Sequence, residues 1–193
     1  MKKSTIILIA VIAAIAIWAI SGYNGLVTMD EKVSGEWANV EAQYQRRADL
    51  IPNLVNTVKG YAKHEQETLE GVITARSQAT QIKVNADDLT PEKLAEYQKA
   101  QGAITSALGK LLAITEKYPD LKANQQFSDL QAQLEGTENR INVARINFNK
   151  VAKEFNTSIR RFPKNILAGM FGFDKHAYFE AEEGAQQAPK VEF

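Results

Sequence analysis

The chain has 193 residues with 23 basic and 23 acidic side chains, so its formal net charge is zero. This balance argues against a dedicated nucleic-acid-binding protein, whose binding domain would be strongly basic. The sequence contains no cysteine, which excludes disulfides, thiolate metal sites, cysteine nucleophiles and a lipid-modified cysteine.

The N-terminal segment, residues 1–23, is predicted to be a transmembrane anchor. Lys2 and Lys3 precede an apolar run from Thr5 to Ile20, close in length to the ~17–25 residues that cross a bilayer. The positive-inside rule then keeps the N-terminus in the cytoplasm and places the rest in the periplasm or outside the cell. The alternative is a signal peptide cleaved before Gly22, but a cleaved signal usually has only ~7–15 apolar residues.

After the anchor, the apolar spacing predicts one long amphipathic helix from about Asn24 to Gln81. Apolar residues recur alternately three and four positions apart, as in a helix that keeps one stripe against a neighbour. They are Val33, Trp37, Val40, Tyr44, Ala48, Ile51, Val55, Val58 and Ala62. Pro52 lies within this pattern and removes one backbone hydrogen bond, so we expect the helix to bend near Asp49–Pro52.

Two more helices are predicted. Thr90–Pro91 is a helix start, with threonine as the N-cap and proline in the first turn. A third helix follows the break at Tyr118–Asp120 and ends before Phe162–Pro163. Short connections favour antiparallel neighbours. The predicted fold class is therefore all-α: a transmembrane helix, then an antiparallel bundle of three long coiled-coil-like helices, resembling a four-helix bundle because the bent first helix supplies two segments.

The predicted organisation has four parts. The anchor covers residues 1–23 and the helical bundle covers residues 24–163. An amphipathic C-terminal segment covers residues 164–179. Residues 180–193 are small and polar, and we expect this tail to be disordered because it offers little apolar surface to bury.

No motif for catalysis or cofactor binding is found in the sequence. His64 and His176 are far apart, and His64 lacks the second histidine that a zinc-protease motif would place four residues later. Carboxylates on amphipathic helices usually form solvated faces. We therefore predict no enzymatic activity, no cofactor and no metal.

Two groups of polar residues, one around the proline and one beside the stripe of the third helix, predict a polar layer. The first group is Arg46, Arg47, Asp49 and Asn53, and the second is Asn142, Asn149 and Asn156. Buried amides can fix helix register, because misalignment leaves them unsatisfied at a cost of about 1–3 kcal/mol each. The hypothesis is that the two groups meet, within one chain or between subunits. The alternative is a hydrated face beside the core.

The C-terminal segment combines a short apolar face with flanking basic residues. The apolar members are Ile166, Leu167, Met170, Phe171 and Phe173. This composition suits a helix in the membrane interface or a protein-docking peptide. A third interpretation is a cap that folds onto the end of the bundle.

Several strings of this sequence resemble the LemA family. They include Trp37-x-x-Val40-Glu41-x-Gln43-Tyr44, Arg46-Arg47-Ala48-Asp49-Leu50-Ile51-Pro52-Asn53-Leu54-Val55 and Tyr118-Pro119-x-Leu121-Lys122-Ala123-Asn124. The resemblance extends from about Gly22 to Phe179. It implies a membrane-anchored α-helical domain, usually outside the cytoplasm, and it supplies no catalytic residues. One branch of the family is linked to magnetosome membranes.

From these observations we expect a non-catalytic, single-pass membrane protein that acts as a scaffold, by homo-oligomerisation or by docking other membrane proteins. Tethering in two dimensions raises the effective concentration of neighbouring copies, which favours weak contacts. The alternatives are a membrane-shaping protein that inserts its C-terminal segment into lipid, and an accessory subunit of a membrane protease or signalling complex.

Overall fold

A computed structural model describes residues 3–180, apart from the side chain of Asp87. Within that range every regular element is helical, so the predicted all-α class is confirmed. The elements are α1 (Lys3–Tyr61), α2 (Gln66–Gln81), a 3₁₀ turn (Ala86–Asp88), α3 (Pro91–Thr115), α4 (Pro119–Lys122), α5 (Gln125–Arg160) and α6 (Lys164–Phe171). Met1 and Lys2 lie outside the described residues. The predicted disordered tail, residues 180–193, also lies outside them, except for its first residue, Glu180.

The first long helix is continuous with the anchor. α1 begins at Lys3 and passes through Pro52 to Tyr61 without interruption, which corresponds to about 90 Å at 1.5 Å per residue. The anchor and the bundle therefore share one helix. Among the described residues, α1 is also the one helix long and apolar enough to cross a membrane, and its apolar window is not buried against the rest of the chain.

The prediction that this helix continues to Gln81 is wrong. The chain leaves the helix at Ala62–Glu65, and α2 folds back along α1. This reversal buries Leu69 and Val72 in the same apolar cluster as Val58. A straight helix would carry Leu69 and Val72 away from that cluster, so burial of their apolar surface favours the reversal.

The predicted start of the second helix is confirmed at α3. Pro91 is its first residue, and Thr90 is the N-cap, with Oγ1 accepting a hydrogen bond from the Lys93 backbone nitrogen at 3.3 Å. α5 begins in the same manner, because Asn124 Oδ1 accepts from the Phe127 backbone nitrogen at 2.9 Å. Side-chain caps satisfy N–H groups that the first turn of a helix cannot pair internally.

The core has two separate parts. The proximal cluster, nearer the anchor, contains Trp37, Phe148 and Phe155 and joins α1, α3, α5 and α6. The distal cluster contains Ile51 and Leu111 and joins α1, α2, α3, α4 and α5. α1 packs along α5 and α2, and α2 packs along α3. Between the two clusters the helices face one another through polar side chains.

Candidate functional site

A buried arginine lies between the two clusters. Arg47 is 1% exposed, and its guanidinium group makes four hydrogen bonds to side chains and backbone of α3 and α5. Nη1 donates to Glu138 Oε1 at 2.8 Å and to Thr105 Oγ1 at 2.9 Å. Nη2 donates to Gln101 Oε1 at 2.7 Å and to the Gln101 backbone oxygen at 3.0 Å. These bonds link three helices, and we expect them to hold the axial register of the helices because a shift of any one would leave a buried charge without its partners.

Arg47 and Gln101 in this polar layer are buried, whereas Thr105 and Glu138 at its edge are in contact with solvent. Burial raises the pKa of Tyr97, and the nearby Tyr44 and Glu41 raise it further. Burial also raises the pKa of Glu41. The Arg47 guanidinium lies 5.1 Å from the centre of the Tyr44 ring, within the range of a cation–π contact. The Arg47 Nε atom has no hydrogen-bond partner in the part of the chain that the structure describes.

Within one chain, the two predicted polar groups are not brought together. Arg47 enters the buried layer, but Arg46, Asp49 and Asn53 are exposed on α1. Asp49 accepts a hydrogen bond from Gln45 on its own helix at 2.8 Å. The partners of Arg47 are Gln101, Thr105 and Glu138, which the sequence patterns did not single out. The run of polar residues they form is visible only when α1, α3 and α5 are aligned.

Two of the three predicted asparagines bind an extended segment at the C-terminal end of the described chain, residues 173–180, here called the C-terminal strap. Asn156 donates through Nδ2 to the His176 backbone oxygen at 2.8 Å and accepts through Oδ1 from the His176 nitrogen at 3.0 Å. Asn149 pairs in the same way with Phe179, at 2.9 Å in both directions. Asn142 is exposed, and no hydrogen bond to it is found among residues 3–180.

The spacing of the asparagines explains this pairing. Seven residues of helix rise about 10.5 Å, and three residues of extended chain span about 10 Å. Asn149 and Asn156 therefore match Phe179 and His176, which are three residues apart and run in the opposite direction. The seven-residue period was the signal in the sequence, and the strap was the partner that it did not identify.

Side chains also hold the C-terminal strap in place. Phe179 is buried against Trp37, with ring centroids 5.9 Å apart and nearly parallel planes. His176 Nε2 lies 2.7 Å from Asp30 Oδ1 on α1. The Phe173 ring packs against the Tyr23 ring, with ring centroids 5.8 Å apart. The strap therefore covers part of the proximal cluster, with Phe179 in the cluster and Phe173 packed against it.

α6 packs against α1 where the apolar run of the anchor ends. Leu167 Cδ1 lies 2.5 Å from the position that a Cβ atom would take on Gly22, so this close approach depends on the missing side chain. Tyr23 and Phe171 are in ring contact at 4.7 Å.

The opposite side of this region is apolar and exposed. Leu167 and Ala168 are buried, whereas Phe162 is 82% exposed and Met170 is 71% exposed. We call Phe162, Ile166, Met170 and Phe171 the membrane-proximal face. Of the five predicted contact residues, Leu167 is in the core, Phe173 belongs to the strap, and the other three lie on this face.

No catalytic arrangement is evident in the described part of the chain. Among residues 3–180, no group of three or more His, Asp or Glu side chains is positioned to hold a metal ion. The features that the described residues do form are a polar layer, a pinned strap and an exposed apolar face beside the apolar segment of α1.

Comparison with known proteins identifies a family to which most of the chain is similar. Residues 36–193 match the model of the LemA family. Magnetosome protein MamQ 2 of Paramagnetospirillum magneticum is 26% identical over 96% of this chain and 75% of its own length. Magnetosome protein MamQ of Magnetospirillum gryphiswaldense is 28% identical over 88% of this chain and 68% of its own. Protein LemA of Metamycoplasma hominis is 29% identical over 83% of this chain and 69% of its own length.

Proposed function

We propose that this chain, which belongs to the LemA family, is a non-catalytic membrane scaffold that docks neighbouring proteins beside the bilayer. The long apolar helix α1 associates the chain with a membrane. Two of the relatives are named as magnetosome proteins, and none of the names given to the relatives describes an enzyme. These facts support a role in membrane organisation rather than in catalysis.

The observation that carries the proposal is the rigid connection between anchor and bundle. α1 has no break between the apolar run and Tyr61, and α6 braces it at Gly22. A helix of this length transmits orientation, whereas a flexible linker would not. A protein bound to this bundle is therefore held at a fixed height and orientation relative to the membrane, which is the physical requirement for a scaffold.

The proposed orientation follows from the basic N-terminus. Lys2 and Lys3 stay in the cytoplasm, so the bundle stands in the periplasm or outside the cell. The membrane-proximal face then lies in the plane where neighbouring membrane proteins meet. We propose that this face makes the docking contacts and that a second copy of this chain is one of its partners, because tethering in two dimensions favours weak self-association.

Site-specific cross-linking in membranes tests the docking role. The natural chain lacks cysteine, so Phe171→Cys introduces a single thiol, to which a maleimide carrying a photoreactive group can be attached and then activated by light. Ile73→Cys on α2 is the matched control, because Ile73 is 51% exposed and Phe171 is 54% exposed. We expect Phe171→Cys to give products in multiples of 21.4 kDa, or a discrete product with another membrane protein. Products from neither, or equally from both positions, would contradict docking at this face.

A second candidate function is direct insertion of the membrane-proximal face into lipid. It is favoured by the high exposure of Phe162 and Met170 beside the end of the apolar run. An environment-sensitive dye on Met170→Cys, in the full chain reconstituted into vesicles, is then expected to report an apolar environment. The same dye on Ile73→Cys is expected to report water. A watery signal from position 170 would exclude insertion.

A further inference from the structure

We propose that a basic cleft beside the end of the membrane span binds the phosphate group of an anionic phospholipid. This ligand goes beyond the membrane location proposed above, because it names the kind of lipid that the protein would bind there. The proposal depends on that location but not on protein docking, and it concerns a different surface from the strap and the polar layer.

The cleft lies between the anchor and the C-terminal end of α5. It has a volume of about 810 Å³ and is bounded by Trp18 and Met29 on α1, by one side of α5, and by residues 161–164. Trp18 lies four residues before Gly22, where α6 packs onto α1. The cleft is thus built from the segment that leaves the bilayer and from the helix end that returns to it.

The charges in the cleft are mostly positive. Lys150, Lys153, Arg161 and Lys164 line it, with Glu154 as the opposing carboxylate. None of these four basic residues forms an ion pair with another residue between positions 3 and 180, and Lys164 Nζ makes one long hydrogen bond, 3.5 Å, to Ser158 Oγ. Ion pairs occur at some basic residues elsewhere in this chain, as in the contacts of Arg47 with Glu138 and of Lys122 with Glu116. The cleft therefore holds an excess of cations available to an anion from outside.

The position of the cleft favours a lipid over a soluble anion. Tryptophan side chains prefer the membrane interface, so Trp18 at the end of the apolar run puts the cleft at the level of the lipid headgroups. Phe162 also lines the cleft and is 82% exposed. An apolar wall beside cations suits a ligand with a phosphate and an acyl chain, and anionic headgroups attract basic residues close to the membrane surface.

Native mass spectrometry of the full chain in detergent tests the assignment. The probes are phosphatidylglycerol and phosphatidylcholine with identical acyl chains. We expect the chain to retain phosphatidylglycerol more tightly. Combined Arg161→Gln and Lys164→Gln is expected to weaken its binding by about tenfold or more, since hydrogen bonds from a cation to a phosphate are charge-assisted and stronger than those from a neutral amide.

Two further double variants serve as a charge-matched control and as a second test of the cleft. Lys99→Gln with Lys110→Gln removes the same charge from exposed positions of α3 and is expected to change lipid binding less than twofold. Lys150→Gln with Lys153→Gln alters the other exposed side of the cleft and is expected to weaken phosphatidylglycerol binding, which gives a readout even if the first pair disturbs folding.

Equal retention of the two lipids, or an unchanged affinity in both cleft variants, would overturn the proposal. Displacement of phosphatidylglycerol by millimolar glycerol phosphate would overturn the lipid assignment in favour of a soluble phosphate. Cross-linking through Phe171→Cys is expected to persist in the cleft variants, so a failure of this proposal is distinguishable from a failure of the docking role.

Discussion

Arg76 donates a hydrogen bond from Nε to the backbone oxygen of Ala48 at 2.7 Å. In an α-helix that oxygen would accept from the residue four positions later, which here is Pro52, a residue without an N–H group. A side chain on α2 therefore satisfies the carbonyl that the proline leaves unpaired in α1. The same bond attaches the returning helix to α1 at the site of the missing backbone bond.

We expect Arg76→Met to lower the free energy of unfolding by about 1–3 kcal/mol, because it leaves the Ala48 carbonyl without a donor. The measurement is denaturant unfolding of the full chain in detergent. In a Pro52→Ala background, the introduced alanine supplies a backbone N–H to this carbonyl, so removal of Arg76 is expected to cost less. An equal cost in both backgrounds would show that Arg76 does not compensate for the proline.

Arg47→Met is expected to destabilise the bundle by about 3–5 kcal/mol, since removing one member of a buried charged network leaves its partners unsatisfied. Glu138→Gln is expected to cost less, because the Glu138 side chain is 40% exposed and water can replace part of the contact. Thermal melting followed by circular dichroism gives both values. If Arg47→Met melts like the natural chain, the polar layer does not hold the helices in register.

Loss of either strap-binding asparagine is expected to release the C-terminal strap. Asn149→Ala and Asn156→Ala each remove two hydrogen bonds to the backbone, so we expect a loss of about 1–3 kcal/mol and faster amide exchange in residues 173–180. Asn142→Ala, at the same heptad position but exposed, is the control and is expected to change stability by less than about 0.5 kcal/mol. Equal exchange in all three variants would contradict the pairing.

Gly22→Val is expected to push α6 away from α1, because a Cβ atom at this position would overlap Leu167. Gly25→Val is the matched control, since no atom lies within 4 Å of its Cβ position. The readout is maleimide labelling of Ala168→Cys, a neighbouring position on α6 that is buried in the natural chain and that leaves Leu167 in place. Labelling is expected to rise in the Gly22→Val background alone, and a similar rise in both would point to a general effect on the anchor.

The stability of the bundle is expected to depend on Glu41 and on pH. Burial raises the pKa of Glu41 above its usual 4.5, so the folded state binds this proton more tightly than the unfolded state. The stabilising contribution of the bound proton is therefore fully present below the unfolded pKa and is lost as pH rises through the folded pKa. We expect Glu41→Gln to be more stable than the natural chain at pH 7, with the difference shrinking toward pH 4. A constant difference across this range would exclude the effect.

Much of the helical architecture is determined locally. The start of α3 follows from threonine and proline in adjacent positions, since a cap and a fixed φ angle need no distant partner. α5 follows from an apolar repeat sustained to Ile159, because only a helix places residues three and four apart on one face. The anchor follows from composition, since an apolar run of this length has few other favourable environments.

The reversal at Ala62–Glu65 was not determined locally. The apolar spacing on both sides of it fits one continuous helix, and the sequence there contains neither proline nor a glycine after Gly60. Burial of Leu69 and Val72 decides the path, and that gain exists only once α1, α2 and α3 pack together. The local pattern is therefore compatible with two structures, and tertiary packing selects one of them.

The sequence by itself determined that this protein is a set of amphipathic helices that follows an apolar N-terminal segment, with polar residues at regular positions beside the apolar stripes. The tertiary structure decided which groups those residues meet: Arg47 meets side chains 54 and 91 residues away, and Asn149 and Asn156 meet the strap. The physical reason is that periodicity fixes the face of a helix on which a side chain lies. A hydrogen bond between elements depends in addition on their relative register and on where the chain reverses, and both are set by packing of the whole bundle.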